Sequence, residues 1–182
     1  VSSLEQGVSI IFEVQRPHVN DLAGWNSTVN VMMLDGIQDP GNMGSILRSC
    51  AAAGVREVWL NAACVNPYAP KVLRAGVGAH FGLTIRENMD LLDALAQLKK
   101  AQVTICATSS YAEQSIYQTE LKAPIAWLMG NEGAGVQADL LQQADVLLTI
   151  PMVLGESLNV AAATAICLFE MLRQQSHSID LR

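Results

Sequence analysis

Three loops of the sequence carry polar side chains among glycines, directly after apolar segments of strand length. The first is "DPGNMGSILR" over residues 39–48, the second is "GNEGAG" over 130–135, and the third is "PMVLGESLN" over 151–159. In an open parallel sheet, ligands bind beyond the carboxyl ends of the strands. Loops in that position therefore predict a ligand site. The polar side chains that could do chemistry there are Asn42, Arg48, Glu132, Ser157 and Asn159.

The first loop has the residue types of an anion cradle. Gly41 and Gly44 permit close approach of the backbone to a ligand. A helix predicted from about Ser45 would offer unpaired N–H groups, with Arg48 one turn further on. The spacing fits neither a dinucleotide-binding GxGxxG motif nor a P-loop. An ordinary strand-to-helix turn with a surface arginine is the alternative interpretation.

The second and third loops lack the cation of the first. Three glycines surround Glu132, more than a simple turn requires, although a carboxylate that only holds its own loop is the alternative. Ser157 and Asn159 are residue types that cap helix N-termini, so a purely structural role is also open. No Lys or Arg occurs between Lys122 and Arg173. These loops therefore predict a neutral or cationic, partly apolar ligand rather than a polyphosphate.

Apolar segments of strand length alternate with helical patterns along the chain. Strands are predicted at 29–37, 57–61, 103–109, 125–130 and 146–150. A glycine-rich loop that leads into a further strand is predicted at 76–85. Helices are predicted at about 45–53, 89–101, 137–143 and 157–175. This alternation indicates an α/β fold with a mostly parallel sheet covered by helices on both faces. Residues 29–175 form one predicted domain, between a lead-in linker and first strand at 1–28 and a tail at 176–182.

Composition limits the class of protein. The 182 residues are 51% hydrophobic, but the apolar runs are far shorter than the ~20 residues of a membrane helix, so we expect a soluble, cytoplasmic protein. The four cysteines are widely separated and no histidine lies near them at ligand spacing, which predicts core cysteines and no metal site. A net charge of −6 has the wrong sign for a protein that binds nucleic acid by phosphate neutralisation alone.

Taken in order, "LDGIQDPGNMGSILRSCAAAGV", "LMGNEGAGV" and "IPMVLGESLNVAAATAICLFEMLR" resemble the three motifs of the SpoU/TrmH-type RNA methyltransferases of the SPOUT superfamily. The resemblance covers about residues 29–175. It implies transfer of a methyl group from S-adenosylmethionine to a ribose 2′-hydroxyl in tRNA or rRNA. It also implies a homodimer and a C-terminal deep trefoil knot, a rare exception to the rule that chains avoid knots.

The resemblance assigns roles to residues at matching positions. Five match the functional polar residues of the motifs and are the catalytic candidates: Asn42, Arg48, Glu132, Ser157 and Asn159. Five fall where the family lines its cofactor pocket: Thr108, Gly130, Ile150, Met152 and Leu158. Two departures stand out, since the family usually has serine where Gly76 stands and the loop at 151–157 is about one residue short.

The acidity of the chain needs a source of RNA affinity. An N-terminal substrate-binding domain absent from this sequence would supply it, and five cations could form a strip beside the site: Arg16, Arg48, Lys71, Arg74 and Arg86. The last helix is apolar around most of its circumference, which predicts a dimer interface. A non-catalytic cofactor- or RNA-binding protein and a small-molecule methyltransferase are the alternative functions.

Overall fold

Parallel strands in a single sheet organise the chain. The structure, a computed structural model, describes residues 15, 21–122, 124–155 and 157–176. Within these ranges the strands are β1 (Val31–Asp35), β2 (Glu57–Leu60), β3 (Thr84–Arg86), β4 (Thr104–Thr108), β5 (Gln114–Ser115), β6 (Ile125–Gly130) and β7 (Val146–Thr149). Their order is β3-β2-β1-β6-β4-β7-β5, and every pair is parallel. The predicted lead-in strand and the tail from residue 177 lie outside the described residues.

Helices cover both faces of this sheet, as the sequence predicts. They are α1 (Pro40–Ala52), α2 (Pro70–Gly76), α3 (Leu91–Lys100), α4 (Ala138–Leu141) and α5 (Val160–Gln175), with short 3-10 helices at Ala79–Gly82 and Ile116–Gln118. Alternate residues of β1 point to opposite faces. Met32 packs in a core with residues of α1, α2 and α5, and Met33 packs in a second core with residues of α3 and α4. All of β1 is buried, which explains the continuous apolar sequence of residues 31–34.

The strand order creates a crevice at the carboxyl edge. The chain runs outward from β1 through β2 to β3, and later inserts β6 on the other side of β1. Asp35 at the end of β1 lies in register with Gly130 at the end of β6. The loops that follow these strands therefore leave the sheet side by side, where a ligand site is expected.

The first helix begins earlier than predicted. It starts at Pro40 rather than near Ser45, because Asp39 caps it by accepting a hydrogen bond from the Asn42 N–H at 2.7 Å. Asn42 therefore lies in the first helical turn, and Arg48 lies more than two turns into the helix. The glycines of this segment concealed the helix, since glycine is a poor helix former.

Gly44 serves helix packing, not the approach of a ligand as predicted. A Cβ atom at Gly44 would lie 2.5 Å from the Cβ of Ala75 and 2.7 Å from the Val72 carbonyl oxygen, both in α2. Helix α2 was not predicted, and it ends at Gly76, where the predicted glycine-rich loop begins. Small residues let α1 and α2 approach each other at this point, so the close backbone approach at Gly44 is to α2.

The predicted strands and the other predicted helices lie close to their observed positions, whereas β5 was not predicted. Asp90 caps α3 through the N–H groups of Leu92 and Asp93. Helix α5 begins at Val160, three residues later than predicted, because Asn159 caps it. Cys50, Cys106 and Cys167 are buried as predicted, and burial raises their thiol pKa values, that of Cys106 to about 12. No helix in the described ranges is long and apolar enough to cross a membrane.

Candidate active site at the carboxyl edge of the sheet

Three side chains, one from each glycine-bearing loop region, form a continuous hydrogen-bonded chain. The Asn42 Nδ2 donates to the Glu132 Oε1 at 3.0 Å, and the Asn159 Nδ2 donates to the Asn42 Oδ1 at 2.9 Å. The backbone N–H of Asp39 also donates to the Glu132 Oε1 at 3.3 Å. Residues 90 and 117 positions apart in sequence are thus brought together, as the parallel-sheet topology predicts.

Capping by Asn159 leaves its amide nitrogen available for this chain. Its Oδ1 accepts hydrogen bonds from the N–H groups of Ala161 at 2.9 Å and Ala162 at 3.3 Å. The Nδ2 of the same amide is a hydrogen-bond donor, and it donates to the Asn42 Oδ1. The structural interpretation of Asn159 is therefore correct, and the same side chain also connects α5 to α1.

The hydrogen bonds to Glu132 favour its ionised form. Partial burial alone would raise the pKa of this carboxyl. The amide of Asn42 and the backbone N–H groups of Glu132, Asp39 and Gln38 outweigh that effect and hold the pKa below its usual range. Glu132 is thus a carboxylate at neutral pH and accepts from donors on two loops.

The loop after β6 turns back tightly on the strand that precedes it. Asn131 and Gly135 exchange two backbone hydrogen bonds of 2.9 Å. A Cβ atom at Gly130 would lie 2.1 Å from the Val136 nitrogen, so only glycine fits at this position. Gly135 has φ +74°, a left-handed conformation that favours glycine. Two of the three glycines are therefore explained by the backbone.

Asn131 and Asp35 shape this region and were not among the candidates. The Asn131 Nδ2 donates to the Gly36 carbonyl oxygen at 2.8 Å, and its Oδ1 accepts from the N–H groups of Gly133 and Ala134. Asp35 is a buried carboxylate at the end of β1. Asparagine two residues before a glycine and directly after a strand is a turn signal that could have indicated Asn131. Asp35 stood in an apolar strand and gave no comparable signal.

A cavity of about 710 Å³ opens beside the hydrogen-bonded chain. Its lining includes all five predicted cofactor residues and three of the catalytic candidates: Thr108, Gly130, Glu132, Ile150, Met152, Ser157, Leu158 and Asn159. The Thr108 hydroxyl lies 3.7 Å from the Met129 sulfur, which also lines the cavity. No Lys or Arg of the described residues lines it. The cavity is therefore suited to a neutral or cationic ligand with apolar parts.

Arg48 lies apart from the cavity on the exposed surface of α1. It makes no hydrogen bond or ion pair with any residue in the described part of the chain. It follows Gly44 by four positions, which places it on the face of α1 that packs against α2. Arg48 follows Asn42 by six positions, which is about 9 Å along the helix axis. The structure therefore brings Arg48 into contact neither with the cavity lining nor with Asn42, Glu132 and Asn159.

The predicted cationic strip is wrong at Arg86. This side chain is buried at the end of β3, where its Nε pairs with the Glu57 Oε2 at 2.9 Å. Its Nη1 donates to the carbonyl oxygens of Asp21 and Ala23. The strand pattern did not reveal this ion pair because β3 has only three residues. Lys71 and Arg74 are exposed on α2, and Arg16 lies outside the described residues.

The departure at Gly76 has a structural partner. A Cβ atom at Gly76 would lie 2.8 Å from the Cε1 atom of His80, whose Nε2 is 2.7 Å from the Pro67 carbonyl oxygen. The imidazole ring thus occupies the space that a side chain at position 76 would need. The sequence analysis identified the glycine but not this ring.

Comparison with known proteins agrees with this architecture. The chain matches the SpoU rRNA Methylase family over residues 30–169. It is 37% identical over 145 residues to an uncharacterized tRNA/rRNA methyltransferase of Synechocystis sp., covering 79% of this chain and 53% of that protein. It is 36% identical over 168 residues to the 23S rRNA (guanosine-2′-O-)-methyltransferase RlmB of Photorhabdus laumondii, covering 90% of this chain and 68% of that protein.

Solved structures give the same result. A putative RNA methyltransferase of the TrmH family from Porphyromonas gingivalis superposes with a TM-score of 0.75 at 33% identity, covering 85% of this chain and 64% of that one. An AdoMet-bound rRNA methyltransferase from Sinorhizobium meliloti superposes with a TM-score of 0.74 at 32% identity, covering 84% and 57%. The chain thus spans between about half and about two-thirds of the length of these relatives. By sequence and by fold, this chain belongs to the SpoU rRNA methylase family.

Proposed function

We propose that this chain is the catalytic domain of an RNA methyltransferase that methylates a ribose 2′-hydroxyl of tRNA or rRNA with S-adenosylmethionine as methyl donor. One observation carries the proposal: the hydrogen-bonded side chains of Glu132, Asn42 and Asn159 join the three motif loops at the rim of the 710 Å³ cavity. Family membership supplies the reaction class, and the names of the relatives specify RNA 2′-O-methylation.

The lining residues fit the proposed cofactor. When bound, S-adenosylmethionine supplies an electrophilic methyl group on a positively charged sulfur. Glu132 offers a carboxylate at the rim of the cavity, and Met152, Leu158 and Ile150 offer apolar surface. Gly130 and the turn after it bring backbone groups close to the cavity, which suits hydrogen bonding to an adenine. Thr108 adds a hydroxyl at the carboxyl end of the neighbouring strand β4.

Arg48 is proposed to bind a phosphate of the RNA and to stabilise the charge that develops on the ribose oxygen. Its guanidinium is exposed and unpaired within the described ranges, so no intramolecular partner has to be displaced. A planar guanidinium binds a phosphate through two parallel hydrogen bonds. A guanidinium stays protonated in proteins and is therefore a poor base. The 2′-hydroxyl proton is therefore released to the phosphate or to water.

Asn42, Asn159 and Ser157 are proposed to hold the acceptor ribose in line with the cavity. Holding two reactants in attack geometry supplies on the order of 7–11 kcal/mol of catalysis. Asn42 is fixed from both sides by Glu132 and Asn159, and is therefore a rigid positioning group. The Ser157 hydroxyl lines the cavity without a hydrogen-bond partner among the described residues, which leaves it available to a ligand.

A homodimer and a C-terminal trefoil knot complete the proposed architecture. Phe169 of α5 is 47% exposed, and Ala162, two turns before it on the same face, is exposed as well. Burial of such an apolar stripe against a second copy would stabilise a dimer. Sedimentation at micromolar concentration is expected to give a dimer, and Phe169→Glu is expected to shift it toward the monomer. A monomeric wild-type protein would contradict this part of the proposal.

The acidity of the domain is consistent with additional RNA-binding surface elsewhere in the protein. The net charge is −6, and the exposed cations Arg48, Lys71 and Arg74 lie on the adjacent helices α1 and α2. We propose an N-terminal substrate-binding domain, a cytoplasmic location and metal-free chemistry. The 182 residues alone are then expected to bind S-adenosylmethionine and to methylate bare transcripts weakly. Robust activity of this chain by itself would show that no appended domain is needed.

Methyl incorporation into RNA tests the proposed function. Total RNA from a strain that lacks the gene is incubated with the full gene product and tritiated S-adenosylmethionine. The proposal predicts label in tRNA or rRNA, at a ribose 2′-oxygen that is unmethylated in the deletion strain. Label in a small molecule, or cofactor binding with no transfer at all, would support one of the two alternative functions instead.

A further inference from the structure

Asp35 is a buried carboxylate that no cation neutralises within the described residues. It ends β1, its side chain is 2% exposed, and it accepts hydrogen bonds from three donors. The Asn61 Nδ2 donates to its Oδ1 at 2.7 Å, the Gln137 Nε2 donates to the same oxygen at 2.6 Å, and the Gln137 backbone N–H donates to its Oδ2 at 2.8 Å. Burial of a charge costs free energy unless hydrogen-bond donors satisfy it, and at Asp35 these three donors do so.

These contacts anchor one end of the loop after β6. At the other end, Asn131 donates its Nδ2 to the carbonyl oxygen of Gly36, the residue after Asp35. Residues 131 and 137 are therefore both tied to the last residues of β1. Asn61 completes the anchor, because its Oδ1 accepts from the Gly36 N–H at 3.0 Å while its Nδ2 holds Asp35.

The anchored segment is the one that forms the rim of the cavity. Residues 131–136 all line it, and Glu132 extends from this segment to Asn42. We propose that Asp35 is a positioning residue, which fixes the 131–137 loop and thereby sets the affinity of the cavity for S-adenosylmethionine. This inference rests on the proposed function for its ligand. Asp35 itself does not line the cavity and acts only through Gln137 and Asn61.

The chemistry of the donors requires a carboxylate rather than an amide at position 35. All three partners present N–H groups, and an ionised carboxylate only accepts. In an Asp35→Asn variant, one amide NH₂ would face another donor, which leaves buried groups unsatisfied. Two buried donors that face each other lower the free energy of unfolding by more than the loss of one hydrogen bond.

Gln137→Ala tests the proposal with little risk to folding, because Gln137 is exposed and its backbone contact to Asp35 is retained. We expect the dissociation constant and the KM for S-adenosylmethionine to rise about fivefold to tenfold, with a smaller change in kcat and an unchanged melting temperature. Gln137→Glu should weaken binding further, since it places a second carboxylate against Asp35. The matched control is Gln142→Ala, an exposed glutamine after α4 with no side-chain hydrogen bond to the described residues.

Asp35→Asn should raise the KM for S-adenosylmethionine at least as much as Gln137→Ala, and should also lower the melting temperature. A purely structural role would lower the melting temperature of Asp35→Asn and leave the cofactor affinity of folded Gln137→Ala at the wild-type value. That result would overturn the proposal.

Amide hydrogen exchange separates failure of this inference from failure of the proposed function. Absence of cofactor binding by the wild type would contradict the proposed function. The amides of Asn131 and Gly135, which are hydrogen-bonded to each other's carbonyl groups, still report on the loop without any ligand. Faster exchange of these two amides in Gln137→Ala than in Gln142→Ala supports the anchoring role, and equal exchange contradicts it.

Discussion

Arg48 and Arg86 lie in two regions of the molecule that use the same side chain in opposite ways. Arg86 is buried at the end of β3, where it is paired with Glu57 and bonded to two carbonyl oxygens. Arg48 is exposed on α1, and no partner within the described ranges contacts its guanidinium. A satisfied guanidinium stabilises the fold, whereas an exposed guanidinium without a partner is available to a ligand. The sequence alone placed both in one cationic strip, and only the contacts distinguish them.

Substitution of Arg48 is expected to give the largest effect on activity. Arg48→Ala should lower kcat for RNA methylation by about 10²–10³-fold, as does removal of one donor to a developing oxyanion. Arg48→Lys should recover little, because a point charge does not replace a planar two-pronged donor. Cofactor affinity and melting temperature should stay at the wild-type values, since Arg48 is exposed and does not line the cavity.

Arg56→Ala is the matched control, because Arg56 is an exposed arginine that precedes β2, at the opposite edge of the sheet. Filter-binding assays with tritiated methyl donor measure all three variants. Wild-type turnover in Arg48→Ala would refute the role assigned to this residue.

Substitution of Arg86 is expected to reverse that pattern. Arg86→Met leaves the half-buried Glu57 carboxylate with the Trp59 Nε1 as its only side-chain donor among the described residues, which should lower the free energy of unfolding by about 3–5 kcal/mol. The folded fraction should bind S-adenosylmethionine normally, since Arg86 lies away from the cavity. Urea denaturation measures the loss. A double variant that also carries Glu57→Gln should recover part of it, and an Arg86→Met protein as stable as wild type would contradict the buried-pair assignment.

Substitutions of two glycines are also expected to separate an effect on the site from an effect on the stability of the fold. Gly130→Ala would place a Cβ 2.1 Å from a backbone nitrogen in the cavity rim, so we expect at least tenfold weaker cofactor binding, about 1.4 kcal/mol. Gly44→Ala would push α2 away from α1, with an expected loss of about 1–3 kcal/mol of stability and little change in cofactor affinity. Calorimetric titration measures the cofactor affinity of both variants, and thermal unfolding measures their stability. Equal changes in affinity and in stability for the two variants would contradict this prediction.

The pH dependence of the rim is expected to be the smallest effect. The native pKa of Glu132 is depressed, so its contribution to stability is present above the ordinary glutamate pKa of about 4.3 and is lost as pH falls through the lower native value. The effect is small because Glu132 is exposed. The difference in urea midpoint between wild type and Glu132→Gln, measured from pH 3 to 6, should shrink toward the acid end. A difference in urea midpoint that stays constant with pH would contradict the assignment of Glu132 as an ionised acceptor of hydrogen bonds.

Patterns of local sequence predicted most of the sheet but not the contacts between elements. The strand at 125–130 and the helix at about 89–101 were predicted close to their observed positions, because apolar runs and helical periodicity are local signals. Helix α2 and the early start of α1 were missed, since Pro, Gly and Ala in both segments favour turns as readily as helix ends. The anchor at Asp35 and the pair at Arg86 depend on partners 102 and 29 residues away, which no local pattern contains.

A crystal structure of this protein with S-adenosylhomocysteine, the demethylated product of the proposed cofactor, tests the central claim most directly. The ligand should occupy the cavity between the loops at 130–136 and 150–159, with its sulfur on the side of Asn42 and Glu132. The ligand bound at any other place on the molecule, or no binding at saturating concentration, would contradict the claim that these loops form a methyl-transfer site.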